Sequence, residues 1–545
     1  MKEIVKYLGF ITLLVTSFTF SAYGQNVSDF KYEINNDKKG ITITGYTGSA
    51  VYVRIPEKIN NLPIVAIADY AFAWKSLISV TIPDGLTHIG EYAFYKNQLI
   101  SITLPNNVVI HPSSFHYYSI YYLYQANKRR PSTFNITLST FNDFDIATVD
   151  RIVIEIVKYN GKSSNVRIPE KINNLRVVAI GSEAFYENKL TSVNIPDFVI
   201  YIGYRAFDKN QLTSIILPNG LTHIGDMAFS GNELTSIILP NSITHIEDYA
   251  FSGNELTSII LPNELTHIGD MAFYSNKLTS ITLPNGLTHI GKNAFFNNQL
   301  TRINLPNSVT HIGDWAFAVN QLTNIVLPNG LTYIGEYAFG RNLITSISIP
   351  NSLTHIGNGA FSLNQITSIT LPANMDFQPS AFYFPIYILY VNNGKRNATY
   401  NISLATYDDL DLAIINNNIE ITDYVNNKSV KIPDRINDMP VVSVGGWAFY
   451  DKQLINITLP NGITHIGDYA FSDNQLTSVI LPNGLTHIGD HAFSDNCLVS
   501  ITLPNGLTHI GDWAFDRNPL KSVNIPNSVT YIGNNAFDRD VIIKK

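Results

Sequence analysis

The chain has 545 residues, of which 45% are hydrophobic and only 14% are charged, so it is too apolar to be a disordered polymer. Its single cysteine excludes a disulfide scaffold and any metal centre that needs several thiolates. A formal charge of −7 leaves no basic excess for a phosphate backbone, so the composition predicts a large folded protein that does not bind nucleic acid.

Residues 1–24 are typical of a secretory signal peptide. Two lysines precede an apolar stretch of about 14 residues, and small residues near Gly24 supply a cleavage site. The apolar stretch is shorter than the roughly 20 residues that a membrane-spanning helix needs. The sequence therefore predicts export, with a mature chain that begins at Gln25 and contains no transmembrane segment.

Residues 25–115 contain the first copies of a repeated unit. The dipeptide Ala-Phe ends at Phe72 and returns at Phe94, and a degenerate copy ends at Phe115. The segment RIPEKINNLPIVAI at 54–67 precedes these copies. Because the end of a repeat array exposes apolar core, we interpret residues 25–115 as an N-terminal cap followed by a short array.

Residues 116–166 interrupt the repeat and are predicted to form an aromatic-rich connector or cap. The run FHYYSIYYLY at 115–124 leads into FNITLSTFNDFDIA at 134–147. A similar pair of segments, FYFPIYILY and YNISLATYDDLDLA, returns near residues 383–430. The sequence therefore predicts a second connector of the same kind at 383–430.

Two longer arrays follow the connectors. Residues 167–382 form the central array, which opens with RIPEKINNLRVVAI and repeats Ala-Phe at a constant interval from Phe185 to Phe361. Residues 431–545 form the C-terminal array, which opens with KIPDRINDMPVVSV. A fixed period in the twenties is the signature of a solenoid. We therefore predict a mainly β repeat solenoid, with 18 coils of about 22 residues in three capped arrays.

The unit LTSIILPNGLTHIGDMAFSGNE at 212–233 explains how one coil folds. Its LxxIxL pattern predicts a short strand with three inward apolar side chains, and its PNG segment predicts a turn. The Ala-Phe pair is predicted to fill the middle of the coil. Asn232, three residues after the phenylalanine, recurs in most units, and we predict that its amide satisfies backbone groups of the next coil.

The unit LTSIxLPNGLTHIGDxAFxxN resembles the BspA-like class of bacterial leucine-rich repeats, whose pattern is LxxIxIPxxVxxIGxxAFxxC. The resemblance covers most of residues 50–115, 167–382 and 431–540. The chain departs from the pattern by placing asparagine where the family often has cysteine, and by a period slightly shorter than the family's commoner one. The resemblance implies a leucine-rich-repeat fold and an exported surface protein, an adhesin that recognises host or bacterial surface proteins.

Two sets of side chains are candidates for a binding surface. The first is an aromatic slot two residues before the repeated phenylalanine, interpreted either as packing at the convex surface or as a contact strip for a protein or a glycan. The second interrupts a row of serines on the strands. The candidate residues are Tyr249, Trp315, Tyr337, Trp447, Tyr469 and Trp513 in the slot, and Arg302 and Asn324 in the serine row.

Histidine recurs in the sequence T-H-I, which holds ten of the 13 histidines. One imidazole per coil gives a row spaced by roughly 5 Å, which cannot converge on a metal ion. We therefore predict structural stacking and no metal site. Adjacent imidazolium groups would repel one another, so a loosening of the central array at mildly acidic pH is a second hypothesis.

No catalytic motif stands in a strand–helix context that would support it, and the recurrent aspartates belong to the IGD turn. We therefore predict a binding protein that is not an enzyme and needs no cofactor, with an extracellular protein or glycan as its partner. The alternatives are a glycan-binding solenoid that uses the aromatic slot, a parallel β-helix enzyme acting on polysaccharides, and a structural component of the cell envelope.

Overall fold

The computed structural model describes residues 26–377, 381–425 and 429–544, which form two compact units. Unit 1 contains the chain up to Asn188 together with Ile195–Phe207, and unit 2 contains Lys189–Asn194 together with the chain from Asp208 onward. The predicted signal peptide lies outside the described residues. Across the described ranges, none of the helices has the length and hydrophobicity needed to span a bilayer.

From residue 26 onward, unit 1 contains short strands, a 3₁₀ turn at Val27–Asp29 and an α-helix, α1, at Tyr118–Ala126. Its strands are Phe30–Ile34, Ile41–Tyr46, Tyr52–Arg54, Lys58–Ile59, Leu62–Ile67, Ser79–Thr81, His88–Ile89, Ser101–Leu104, Val109–Ile110, Ser132–Phe141, Phe144–Val149, Val153–Tyr159, Asn165–Arg167, Lys171–Ile172, Leu175–Ile180 and Tyr201–Ile202.

The described residues of unit 2 repeat the same kinds of element and include an α-helix, α2, at Phe384–Asn392. Its strands are Ser192–Asn194, His223–Ile224, Ser236–Ile238, His245–Ile246, Ser258–Ile260, His267–Ile268, His289–Ile290, His311–Ile312, Tyr333–Ile334, Ser346–Ser348, His355–Ile356, Ser368–Leu371, Ala398–Asn401, Ser403–Tyr407, Leu410–Ile415, Asn418–Tyr424, Ser429–Lys431, Arg435–Ile436, Met439–Val444, Asn456–Thr458, His465–Ile466, His487–Ile488, His509–Ile510, Ser522–Asn524, Tyr531–Ile532 and Ile542–Lys544.

Successive coils pair through two parallel ladders. In the first, Ser236 pairs with Ser258. In the second, which we call the histidine ladder, His245 pairs with His267. Both pairings join a residue to its equivalent one repeat later, so each strand lies beside its copy in the next coil. This register confirms the predicted solenoid, whereas its division into three capped arrays stays a prediction.

The core of each coil is formed by the side chains that the repeat predicts. In unit 2, consecutive phenylalanines from Phe229 to Phe361 stack with ring centroids 5.2–5.7 Å apart, and they are at most 2% exposed. Leucine and isoleucine from both ladders surround them. A single coil could not bury such a ring on both faces, so each coil depends on its neighbours for stability.

Each connector combines a helix with antiparallel strands. In unit 1, Ser132–Phe141 pairs antiparallel with Phe144–Val149, which pairs antiparallel with Val153–Tyr159. The last of these runs parallel to Leu175–Ile180 and so returns the chain to the repeat. The connector in unit 2 has the same order of elements, ending with Asn418–Tyr424 parallel to Met439–Val444.

Candidate functional site

We call the outward side of the first ladder in unit 2 the strand face, which comprises positions equivalent to 214 and 216 in each coil. The extended segment at 214–217 alternates like a strand, so Ile215 and Leu217 are buried while Ser214 and Ile216 point outward. Ile216 is 87% exposed, and its copies Ile238 and Ile260 are 68% and 63% exposed. Three neighbouring coils therefore present a row of isoleucines to solvent.

The composition of the strand face changes along the solenoid. The isoleucine row is followed at equivalent positions by Thr282, Asn304 and an exposed Val326. In the adjacent serine row, the candidates Arg302 and Asn324 stand in consecutive coils and are exposed. In the central coils the strand face therefore has an uncharged, apolar part and a more polar part that contains Arg302.

The aromatic candidates are brought together in a different place. The Trp315 ring stacks on Tyr337 with centroids 4.4 Å apart, and Trp447 stacks on Tyr469 at 4.3 Å. The two pairs also contact each other, because Trp447 lies 6.1 Å from both Trp315 and Tyr337. Tyr337 is only 5% exposed, so the interpretation of this slot as a surface position is wrong for Tyr337. These rings form an internal contact between coils of unit 2.

The two remaining aromatic candidates differ in their relation to this contact. Trp513 is half-buried and continues the contact through His491, whose ring stacks on Tyr469 with centroids 4.5 Å apart and on Trp513 at 5.2 Å. Tyr249 is half-buried in another part of the row, which also holds Met227 and Met271. The structure therefore links five of the six aromatic candidates through His491 and places Tyr249 elsewhere.

The histidine ladder is a stack, as the sequence predicts. The rings of His245, His267 and His289 stack with centroids 4.7–4.9 Å apart, and each Nδ1 lies 2.8–3.0 Å from the hydroxyl of the preceding threonine. Burial lowers the pKa of each imidazole below its ordinary value. Among the residues that the structure describes, no group of three or more His, Cys, Asp or Glu side chains could hold a metal ion.

Comparisons with known proteins identify the repeat. The model of the BspA type leucine-rich repeat region matches in six copies over residues 47–151, 178–299, 266–389 and 419–544. No curated protein matches the chain.

Solved structures that resemble the chain include bacterial proteins of low sequence identity. A leucine-rich-repeat protein from Bacteroides ovatus is 20% identical, and the alignment covers 96% of this chain and 99% of that one with a TM-score of 0.29. A leucine-rich cell surface protein from Faecalibacterium prausnitzii is 20% identical, with coverages of 96% and 94% and a TM-score of 0.25. YopM from Yersinia enterocolitica is 17% identical, with coverages of 89% and 91% and a TM-score of 0.32.

Proposed function

Because the chain belongs to the BspA-type leucine-rich-repeat family, we propose that it is an exported adhesin that binds surface proteins of host or bacterial cells through its strand face. The observation that carries this proposal is the row of isoleucines at 216, 238 and 260. Large apolar side chains exposed side by side are a feature of surfaces that bind a partner. Arg302 and Asn324 extend the proposed surface beyond the apolar part.

The side chains of the strand face indicate what kind of partner surface would bind there. Burying an isoleucine contributes about 1.5–3 kcal/mol, so the three together can anchor a partner of ordinary size. No charged side chain lies among residues 212–217, 234–239 and 256–261. A partner surface that is apolar and lined by uncharged hydrogen-bonding groups fits the isoleucines and the serines beside them.

We expect the double substitution Ile216→Asp and Ile238→Asp to weaken binding at least about tenfold, because a carboxylate cannot be buried against an apolar partner without loss of its hydration. The measurement is surface plasmon resonance of the mature chain on immobilised extracellular-matrix proteins and on purified bacterial surface proteins.

Ile480→Asp is the matched control for this experiment. Ile480 occupies the same position in another coil and is 86% exposed, but its neighbours at that position are Thr458 and Thr502. It therefore tests whether a new charge anywhere on the first ladder weakens binding. Unchanged affinity of the double variant, or an equal loss in the Ile480→Asp control, would contradict the proposed surface.

A further inference from the structure

A cavity of about 350 Å³ lies inside unit 2, where the final coils before residue 370 meet the start of α2 and the strands near residues 418–446. Its wall is aromatic and aliphatic on one side, with Phe361, Phe382 and Phe384. Its polar side contains Asp468, Glu420 and His465. No lysine or arginine is among the described residues that line it.

Asp468 is buried in the wall of this cavity with 3% of its surface exposed. Its Oδ2 accepts a hydrogen bond of 3.1 Å from the Tyr337 hydroxyl, and its Oδ1 accepts one of 2.8 Å from the Asp490 backbone N–H. Burial, reinforced by the neighbouring Asp490 carboxylate, raises the pKa of Asp468 to about 7. The carboxyl therefore has hydrogen-bond partners but no cation to neutralise its charge.

Glu420 is a second buried carboxyl, with 4% of its surface exposed. Its Oε2 accepts hydrogen bonds from the Phe384 backbone N–H at 2.9 Å and from the Ser443 hydroxyl at 2.8 Å. Burial raises the pKa of Glu420 to about 7. Two buried carboxyls, together with the more exposed Asp411 and Asp423, thus line a cavity that has no basic side chain among its described lining residues. A protein seldom leaves such an arrangement uncompensated.

His465 provides an independent sign of a missing partner. Its ring stacks on Phe384 with centroids 4.3 Å apart and is only 6% exposed. Its Nδ1 is buried without a hydrogen-bond partner. In the next coil, by contrast, His487 Nδ1 lies 2.8 Å from the Thr486 hydroxyl. The histidine that lines the cavity therefore lacks the bond that its neighbour in the ladder makes, and its Nδ1 is buried. Buried polar atoms without a partner need an explanation.

The connector of unit 1 is a copy of this region in which large side chains occupy the equivalent positions. Tyr204 stands where unit 2 has Asp468, and its ring lies 5.7 Å from both Tyr92 and Tyr95. Tyr201 stands where unit 2 has His465 and stacks on Tyr118 at 3.8 Å. Unit 2 thus replaces two tyrosine rings with a smaller acid and a smaller ring.

We propose that the cavity of unit 2 binds a small organic cation with spaced N–H donors, of the diamine or guanidinium class, which donates to Asp468, Glu420 and the unpartnered Nδ1 of His465. Its hydrocarbon part packs against the phenylalanine wall, which also favours a cation. A bare metal ion does not fit, because the ligating groups do not converge as a metal site requires. A longer cation with several donors can span them.

The test is isothermal titration calorimetry of the mature chain with agmatine and putrescine at about pH 8, where both carboxyls are ionised. Ionic strength is held constant with sodium chloride. We expect saturable binding with a Kd below about 1 mM, weakened at least about tenfold by Asp468→Asn and by Glu420→Gln. Asp468→Tyr copies the unit 1 side chain, and we expect it to abolish binding while its circular dichroism spectrum stays that of the wild type.

Asp512→Asn is the matched control, because Asp512 accepts a backbone N–H from the following coil as Asp468 does but does not line the cavity. Its affinity should equal that of the wild type. The proposal is overturned if neither cation binds, if Asp512→Asn weakens binding as much as Asp468→Asn, or if Ca²⁺ displaces the organic cations. Because Asp468→Asn and Glu420→Gln preserve side-chain volume, they decide the question even if Asp468→Tyr does not fold.

Discussion

At the scale of single residues, the repeated asparagine holds consecutive coils together. The Oδ1 of Asn276 accepts a hydrogen bond of 3.1 Å from the Leu256 backbone N–H, and its Nδ2 donates to the Phe251 carbonyl at 2.9 Å. The same Nδ2 also donates to the Phe273 carbonyl of its own coil at 3.3 Å. The sequence predicts that this amide serves backbone groups of a neighbouring coil, and the structure confirms it. The neighbour, however, is the preceding coil rather than the next.

We expect Asn276→Ala to lower the free energy of unfolding by about 2–3 kcal/mol, because the buried Leu256 N–H and Phe251 carbonyl lose their partner. The measurement is urea denaturation followed by circular dichroism. Asn263→Ala is the control, since Asn263 is an exposed turn residue of the same region and should change stability by less than about 0.5 kcal/mol. Equal losses of stability in the two variants would show that the hydrogen bonds of the Asn276 amide do not stabilise the packing of consecutive coils.

The backbone conformation of the aromatic slot could not be predicted from the sequence. Trp315 has φ of 58° and Tyr337 has φ of 49°, and the same left-handed conformation recurs in this slot along both units. A left-handed residue other than glycine costs about 1–2 kcal/mol, so glycine is the usual sign of it. The slot holds mainly Tyr, Trp, Met, Arg, Glu and Asn, and only Gly359 gives that sign. The slot accepts many residue types because the stacking between coils offsets the cost of the left-handed backbone conformation.

At the scale of elements, the histidine ladder behaves as the spacing predicts. Its rings stack rather than converge, and Tyr333 continues the stack between His311 and His355 with centroids 5.8 and 4.5 Å apart. Burial first, and then the neighbouring imidazoles, lower the pKa values of His267 and His289. The repeated T-H-I sequence therefore predicted both the ladder of short strands and the stacking order of its histidine and tyrosine rings.

These depressed pKa values make the histidine ladder sensitive to acid. Because these imidazoles bind protons less readily in the folded chain than in the unfolded chain, their contribution to the free energy of unfolding should fall as the pH drops below about 6.5. We expect the stability of the double variant His267→Tyr and His289→Tyr, which copies Tyr333, to rise relative to that of the wild type between pH 7.5 and about 5. Thermal melts at both pH values measure the difference, and identical changes in the two proteins would contradict a role for the ladder.

The connector helices are the elements that the sequence analysis missed. The aromatic runs predict a connector, but their apolar residues show no helical face, and neither helix N-terminus carries its own side-chain cap. A glutamate 36 residues later supplies the cap: Glu155 Oε2 accepts hydrogen bonds of 3.0 Å from both the backbone N–H and the hydroxyl of Ser119. Glu420 plays the same part for α2. The sequence signal was a glutamate between two isoleucines in both connectors, in the strand patterns VIEI and NIEI.

At the scale of the whole molecule, local contacts make each unit a separate source of stability. Most contacts of a coil in a solenoid are with its neighbours, so the loss of one contact is felt mainly nearby. In unit 2 the contact of Trp447 with Trp315 and Tyr337 adds a link between coils on either side of the connector. The repeat predicted this architecture from the sequence because one pattern is written many times. It could not predict the two compact units, because the Ala-Phe period runs without interruption through Phe185, Phe207 and Phe229, across the boundary between the units.

The two buried glutamates allow the units to be examined separately. Burial raises the pKa of Glu155 in unit 1, and of Glu420 in unit 2, to about 7. The unfolded chain therefore ionises at a lower pH than the folded chain, and the free energy of unfolding falls by up to about 3 kcal/mol per glutamate between about pH 4.5 and about pH 7. Glutamine keeps the acceptor oxygen but cannot ionise. Glu155→Gln should therefore remove the pH-dependent loss of stability from unit 1, and Glu420→Gln should remove it from unit 2.

Hydrogen exchange followed by mass spectrometry at about pH 5 and pH 7 reads the two units separately, after correction for the intrinsic effect of pH on exchange. In Glu155→Gln, peptides of unit 1 should keep their protection at the higher pH while peptides of unit 2 behave as in the wild type. Glu420→Gln should give the reverse pattern, which makes each variant the control for the other. If either substitution changed protection equally throughout the chain, the two units would unfold as one cooperative structure, and the local character of this solenoid would be disproved.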